Sequence, residues 1–166
     1  STGTYEALMT TPVSNLQIVF SKFLASWIFY GLMWLPLWGF MVWLGQFFND
    51  PEYLDAGIVG GTALGVMLLG GLFLAIGCLA SAATKSQLIA AMLALTLEMV
   101  LFMLSFVIEL LPDQSGWQAT LFGHICLFDH MGDFVRGIIN GSHLIFYFTG
   151  TGLFLFLTWR WVESRK

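Results

Sequence analysis

The chain has 166 residues, of which 58% are hydrophobic and 10% are charged, and its formal net charge is −4. Soluble domains carry about 25% charged residues, so this composition excludes an ordinary soluble domain and indicates a membrane protein. The acidic balance argues against nucleic-acid binding, because no cluster of Lys and Arg is available to neutralise phosphates.

The opening segment, residues 1–23, is too polar to span a membrane and divides near its middle. Residues 4–10 have room for about two helical turns, and Pro12 then disfavours helix at the residue before it. Ser14 and Gln17 fit a capping box, with Ser14 as the N-cap. The sequence therefore predicts a short helix, a turn, and a new helix that leads into the first membrane span.

The charges of this segment favour a protein partner. A helix that rests on lipid headgroups is usually rich in Lys and Arg on its polar face. Here Glu6 is the only charged residue before Lys22. We therefore expect the first part of the segment to contact a protein rather than lipid headgroups.

Four stretches are long and apolar enough to cross a bilayer, since a helical crossing needs about 20 apolar residues. Backbone groups in lipid must bond within the element, which favours helices. We predict transmembrane helices over residues 24–48, 57–83, 88–111 and 143–162. Pro36 lies in the first of them and should kink that helix rather than end it. The fold class is all-α, a polytopic helical membrane protein in one transmembrane domain, residues 1–166.

Glycines recur along the second span. Gly57, Gly61 and Gly65 are spaced four residues apart, and Gly60 and the Gly70-Gly71 pair extend the set of small residues. Small residues let helix backbones approach closely in lipid. We predict helix packing at these glycines, within the chain or across a dimer.

The third span carries a carboxylate near its middle, at Glu98. A charged side chain at this depth costs at least about 2.5 kcal/mol, so an intramembrane acid is a candidate functional residue. The alternative is a protonated Glu98 that hydrogen-bonds a neighbouring helix. The sequence leaves both interpretations open.

Residues 112–142 mix polar and apolar side chains and are too polar to cross the bilayer cleanly. We predict one or two short helices on the outer side, re-entrant or lying in the interface. Several possible metal ligands lie in or beside this segment: His124, Asp129, His130, Asp133 and His143. Their spacing matches no strong metal motif, so we expect solvated or interfacial side chains and no metal.

The connections between the spans differ in charge. Five Lys and Arg residues fall on one side of the predicted spans: Lys22, Lys85, Arg160, Arg165 and Lys166. Arg136 alone falls on the other side. The positive-inside rule then places the opening segment, the loop at Lys85 and the C-terminal tail in the cytoplasm.

Motifs of catalysis and nucleotide binding are missing from the sequence. It contains no GxxxxGK[ST] phosphate-binding loop, no HExxH and no GxSxG, which are signatures of nucleotide, zinc and serine-nucleophile sites. We therefore expect that the chain is not an enzyme and has no catalytic residues.

Three stretches of the sequence, taken together and in order, are similar to a known protein family. They are GTYEALMTTPVSNLQIVFSKFLA (3–25), FLAIGCLASAATKSQLIAA (73–91) and HMGDFVRGIINGSHLIFYFTGTGLFLFLTWRWVESRK (130–166). In this order they resemble ABC-2 type transporter permeases, most closely the branch related to the gliding-motility ABC permease. The first stretch is the most specific and matches at Gly3, Thr4, Glu6, Leu8, Thr11, Pro12, Val13 and Lys22. Glu98 and the Trp-rich first span depart from the family pattern.

The resemblance implies an ABC-2, type V exporter-like transmembrane domain in the plasma membrane, the inner membrane of a bacterium. Two permeases would pair, as a second copy or a paralogue, above two separate ABC ATPase subunits. Those subunits would hold ATP and Mg²⁺, so this chain would need no cofactor. Residues 117–140 would form external re-entrant helices. Residues 1–23 would form the coupling segment, whose helix would dock on the ATPase through Gly3, Thr4, Tyr5, Glu6, Leu8, Met9, Thr11 and Pro12.

Family members usually have two further spans before the coupling segment, and this sequence does not begin with Met. We therefore expect that an N-terminal part is missing and that the chain holds the last four of six spans. The alternative function is that of a membrane scaffold outside the ABC class, or of a proton- or ion-conducting subunit that uses Glu98.

Overall fold

The computed structural model of the chain describes residues 15–48, 55–109 and 126–164. This part of the chain is helical and contains no strand. Four of its helices are long and apolar enough to cross a membrane, which confirms the all-α, polytopic fold class. The helices are α1 (Asn15–Phe48), α2 (Ala56–Ala83), α3 (Gln87–Glu109), α4 (Leu127–Val135) and α5 (Gly141–Ser164).

Helix α1 begins nine residues earlier than the span predicted from hydropathy, at Asn15 rather than residue 24, and it continues through Pro36 to Phe48. It thus combines the helix expected after the capping box with the first span. The capping residue Ser14 and the whole predicted coupling segment up to Pro12 lie outside the described residues.

Local side chains define where α2 and α5 begin. The Asp55 carboxylate accepts a hydrogen bond from the Gly57 backbone N–H at 2.9 Å, which is the bond that an N-cap aspartate makes. Before α5, the Asn140 side-chain oxygen accepts hydrogen bonds from the backbone N–H and the hydroxyl of Ser142. In each helix, a side chain at the start therefore satisfies one of the first N–H groups, which have no partner within the helix.

Helix α2 lies at the centre of the bundle and contacts each of the other four described helices, most extensively α5. The buried core joins α2, α4 and α5 and consists of Leu72, Ile76, Leu127, Phe134 and Tyr147. The other faces of α1 and α3 expose many large apolar side chains. Such faces are stable in a bilayer, because lipid tails are as apolar as these side chains.

Candidate functional site

Two aromatic side chains of α1 bind α2 near the middle of its length. The Trp27 Nε1–H donates to the Met67 carbonyl at 3.1 Å, and the Tyr30 hydroxyl donates to the Val66 carbonyl at 3.3 Å. Each carbonyl oxygen has two lone pairs, so it can accept such a bond while it remains part of the α2 ladder. The side chains of α1 thus bind the backbone of α2 directly.

The Gly70-Gly71 pair makes this approach possible. A Cβ atom on Gly70 would overlap the Tyr30 ring, and a Cβ atom on Gly71 would lie 3.3 Å from Trp27 Nε1. Any larger residue at position 70 would therefore push Tyr30 away from α2. The sequence predicted close helix packing from these small residues, and the structure identifies α1 as the neighbour.

A third contact joins α1 and α2 near the predicted cytoplasmic end. The Lys22 ammonium donates to the Ser81 hydroxyl at 3.3 Å, two residues before α2 ends at Ala83. Lys85 follows directly, and Arg160 lines the same crevice as Ala83. Of the five cations that the sequence analysis assigned to one side of the membrane, the three within the described residues, Lys22, Lys85 and Arg160, therefore lie at one end of the bundle.

At the opposite end of α2, Gly57, Gly61 and Gly65 face α4 and the turn that follows it. A Cβ atom on Gly61 would lie 2.5 Å from the Phe134 carbonyl oxygen, and one on Gly65 would lie within 2.8–2.9 Å of the Phe134 side chain. In the turn, Gly137 adopts a φ of +75° and packs against the Gly57 backbone. These glycines form the surface of α2 on which α4 packs, which we call the seat of α4. Packing within the chain is one of the two arrangements that the sequence left open, the other being packing across a dimer.

Helix α4 is also held by α5 through an acid–histidine pair. The His143 Nε2 atom lies 2.8 Å from Asp133 Oδ2, and the His143 ring lies beside the His130 ring, with 4.0 Å between centroids. His130 is 1% exposed and His143 is 9% exposed. This differs from the expected solvated or interfacial side chains, because the His130 ring packs against Phe146 and Tyr147 and the His143 ring packs against Phe134. The Tyr147 hydroxyl is buried without a hydrogen-bond partner in the described part of the chain.

Ser105 connects α3 to the start of α4. Its hydroxyl oxygen accepts the Leu127 backbone N–H at 3.2 Å, so a side chain from another helix satisfies one of the first N–H groups of α4. The Cys126 thiol lies 3.8 Å from the Ser105 carbonyl oxygen. Burial raises the pKa of the Cys126 thiol, which keeps it protonated and able to donate. Nothing in the sequence pattern marked Ser105.

Among the described residues, no three or more His, Cys, Asp or Glu side chains are arranged to hold a metal ion. Glu98 is half-buried on α3 and makes no ion pair or hydrogen bond within the described ranges. The predicted docking residues from Gly3 to Pro12, and His124, lie outside those ranges. The described geometry is thus one of helix contacts. Helix α2 contacts α1 at its middle and near its C-terminal end, and it contacts α4 near its N-terminal end.

Comparison with known protein families supplies the decisive observation. The profile of the ABC-2 family transporter proteins matches residues 1–150. The chain belongs to this family. The match includes the predicted coupling segment and the seat of α4, and it confirms the resemblance to ABC-2 type permeases. The narrower resemblance to the gliding-motility branch stays a prediction. Searches of curated proteins and of solved structures find no match to the chain.

In this ABC-2 family member, the contacts of α1 and α4 are both made with the same helix, α2. Among the described helices, α2 is the central one; it is bonded to α1 near one end and packs against α4 near the other. The chain is therefore a multi-pass membrane transport component. The sequence identified most of the glycines in these contacts but not Trp27 and Tyr30, the aromatic residues that pack against them. These two side chains donate to backbone carbonyls, and every residue has a carbonyl, so no residue type in the sequence indicates the acceptor.

Proposed function

We infer that this chain is the membrane-spanning permease subunit of an ATP-driven ABC-2 transporter, and that it exports or moves its substrate by a lever acting through α1. The ATPase would be a separate subunit, docked on the segment from Gly3 to Pro12. The observation that carries the proposal is α1 itself. It is one continuous helix of 34 residues that begins at Asn15, three residues after Pro12.

The length of α1 supports the lever. A helix rises 1.5 Å per residue, so 34 residues extend over about 51 Å, whereas the hydrocarbon core is about 30 Å thick. A continuous helix longer than the membrane can carry a displacement from its cytoplasmic end into the span, and the contacts of α1 with α2 at Lys22, Trp27 and Tyr30 all precede Pro36. A short docking helix before Pro12 would therefore not need a contact of its own with the transport path.

Three bonds pass such a displacement from α1 to α2. Lys22 bonds Ser81 at the inner end, and Trp27 and Tyr30 bond the α2 backbone further along. Because α2 contacts every other described helix, its movement would carry α4 and α5 with it. The expected transition is a rigid-body change between two states, driven by ATP-dependent closure of two ATPases under two paired permeases.

The docking segment is tested by Tyr5→Ala and Glu6→Ala in the purified transporter. Both variants should fold, and both should lose stimulation of the ATPase by the permease, because the contact with the ATPase is weakened. The measurement is ATP turnover with and without the permease, together with co-purification of the ATPase. Full stimulation in both variants would refute docking through this segment.

The transmission step has a matched pair of variants on α2. Gly70→Ala places a methyl group against the Tyr30 ring, whereas a Cβ atom on Gly77 would meet nothing within 4 Å. We expect Gly70→Ala to retain the bound ATPase but to uncouple ATP turnover from transport, and Gly77→Ala to behave as the wild type. Equal coupling in the two variants would show that the α1–α2 contact does not transmit the movement.

A further inference from the structure

A crevice opens between α2, α3 and α5 at the end of the bundle that holds Lys85 and Arg160. Its volume is about 640 Å³, within the range of roughly 300–1,000 Å³ that is typical of small-molecule sites. All three helices contribute leucines to its apolar wall: Leu79, Leu93, Leu97 and Leu157. Arg160 and Glu163, near the end of α5, line its polar part. The crevice therefore has an apolar wall and a charged rim.

The position of the crevice along the helices matches the membrane interface. It includes Ala83, where α2 ends, and Ser164, where α5 ends. Trp161 also lines it, and Trp residues are enriched where headgroups meet acyl chains. A ligand of this crevice would have a polar part at the interface and an apolar part in the hydrocarbon region.

We propose that the crevice binds an anionic phospholipid, with the phosphate at the Arg160 guanidinium and an acyl chain along the leucine wall. Lipid tails are as apolar as leucine, so the wall gives a tail little advantage over the surrounding bilayer. Selectivity must then come from the headgroup. A guanidinium binds phosphate through two parallel N–H···O bonds, and the leaflet on the positive side of a membrane protein is the one rich in anionic lipids.

Glu163 competes with the lipid for the same guanidinium. Arg160 Nη1 lies 3.3 Å from Glu163 Oε2, and the two side chains are 64% and 48% exposed. Ion pairs this exposed are weak, so the guanidinium can exchange the carboxylate for a phosphate. Removal of either residue should therefore change lipid binding, but in opposite directions.

Native mass spectrometry of the purified full-length transporter, titrated with phosphatidylglycerol or phosphatidylethanolamine, measures this site. Wild-type protein should retain phosphatidylglycerol in preference to phosphatidylethanolamine. Arg160→Gln should reduce retention of phosphatidylglycerol about fivefold, the effect of one cation on an anionic lipid, and Glu163→Gln should increase it. Lys85→Gln is the matched control, because it removes the same charge at the same end of the bundle from an exposed position outside the crevice.

A second variant tests the apolar wall. Leu97 is 42% exposed, so Leu97→Trp can fill the crevice without disturbing the core, and it should abolish retention of phosphatidylglycerol. Three results would overturn the proposal. Equal losses in Arg160→Gln and Lys85→Gln would indicate general attraction to the surface. Displacement by free glycerol phosphate would exclude a role for the tail. If the wild-type protein retains no lipid and Leu97→Trp weakens assembly of the transporter, another protein segment occupies the crevice.

Discussion

The seat of α4 on α2 makes a quantitative prediction about two adjacent glycines. Gly61 and Gly60 are neighbours on the same helix, but their surroundings differ. A Cβ atom on Gly61 would lie 2.5 Å from the Phe134 carbonyl oxygen, whereas one on Gly60 would meet nothing within 4 Å. The carbonyl belongs to the backbone of α4 and cannot rotate away. Gly61→Ala must therefore push α4 off its seat, and Gly60→Ala must not.

The magnitude follows from two opposing terms. Replacing a helical glycine with alanine stabilises a helix by roughly 0.5–1 kcal/mol, and this gain is common to both variants. Overpacking a close contact costs roughly 1–3 kcal/mol, and only Gly61→Ala carries that cost. The common gain cancels in the difference between the two variants. We therefore expect Gly60→Ala to be at least as stable as the wild type and Gly61→Ala to be less stable than Gly60→Ala by roughly 1–3 kcal/mol.

Thermal unfolding in detergent, followed by Trp fluorescence, measures this difference. For a chain of this size, 1–3 kcal/mol corresponds to roughly 2–12 °C in Tm. Circular dichroism at low temperature should show the same helix content in both variants, so that the comparison concerns packing rather than folding. Equal Tm values for Gly61→Ala and Gly60→Ala would refute the close contact between α2 and α4.

Three further variants test single residues. Asp133→Asn removes the charge from the pair with His143 and should lower the free energy of unfolding by about 0.5–1.5 kcal/mol; an unchanged Tm would mean that the pair does not hold α4. Tyr30→Phe deletes the bond to the Val66 carbonyl and should cost about 1 kcal/mol in the same assay, and a neutral result would contradict that bond. Glu98→Gln should retain ATP-coupled transport in reconstituted vesicles, because the proposed lever has no proton step; loss of transport with intact folding would favour a proton-linked function.

The sequence located the long apolar helices well, because the bilayer imposes a simple rule. Every backbone group in lipid must bond within its own helix, so length and hydropathy alone locate α2, α3 and α5. Helix α1 begins earlier than its hydropathy suggests, since the residues from Asn15 to Phe23 are helical without being part of an apolar run. Only the capping-box pattern indicated that extension.

The partners of the small residues were not predictable in the same way. Glycines four residues apart indicate that a backbone approaches, but not which one. The structure divides the predicted set between α4, at Gly61 and Gly65, and α1, at Gly70.

The contact between His130 and His143 was also not predictable from the sequence. Their spacing excluded a metal motif and gave no sign that His130 and His143 lie side by side in a buried aromatic cluster. That proximity depends on the turn after α4, which brings residues from two helices together.

The central claim is that this ABC-2 permease works with a separate ATPase, and co-purification tests it most directly. A tagged chain would be isolated from its native membrane in mild detergent, and its partners identified by mass spectrometry. We expect to recover a stoichiometric ATPase that contains a GxxxxGK[ST] loop, a motif that this chain lacks. Recovery of the intact, folded chain without any such ATPase, in the presence and absence of ATP, would contradict the account.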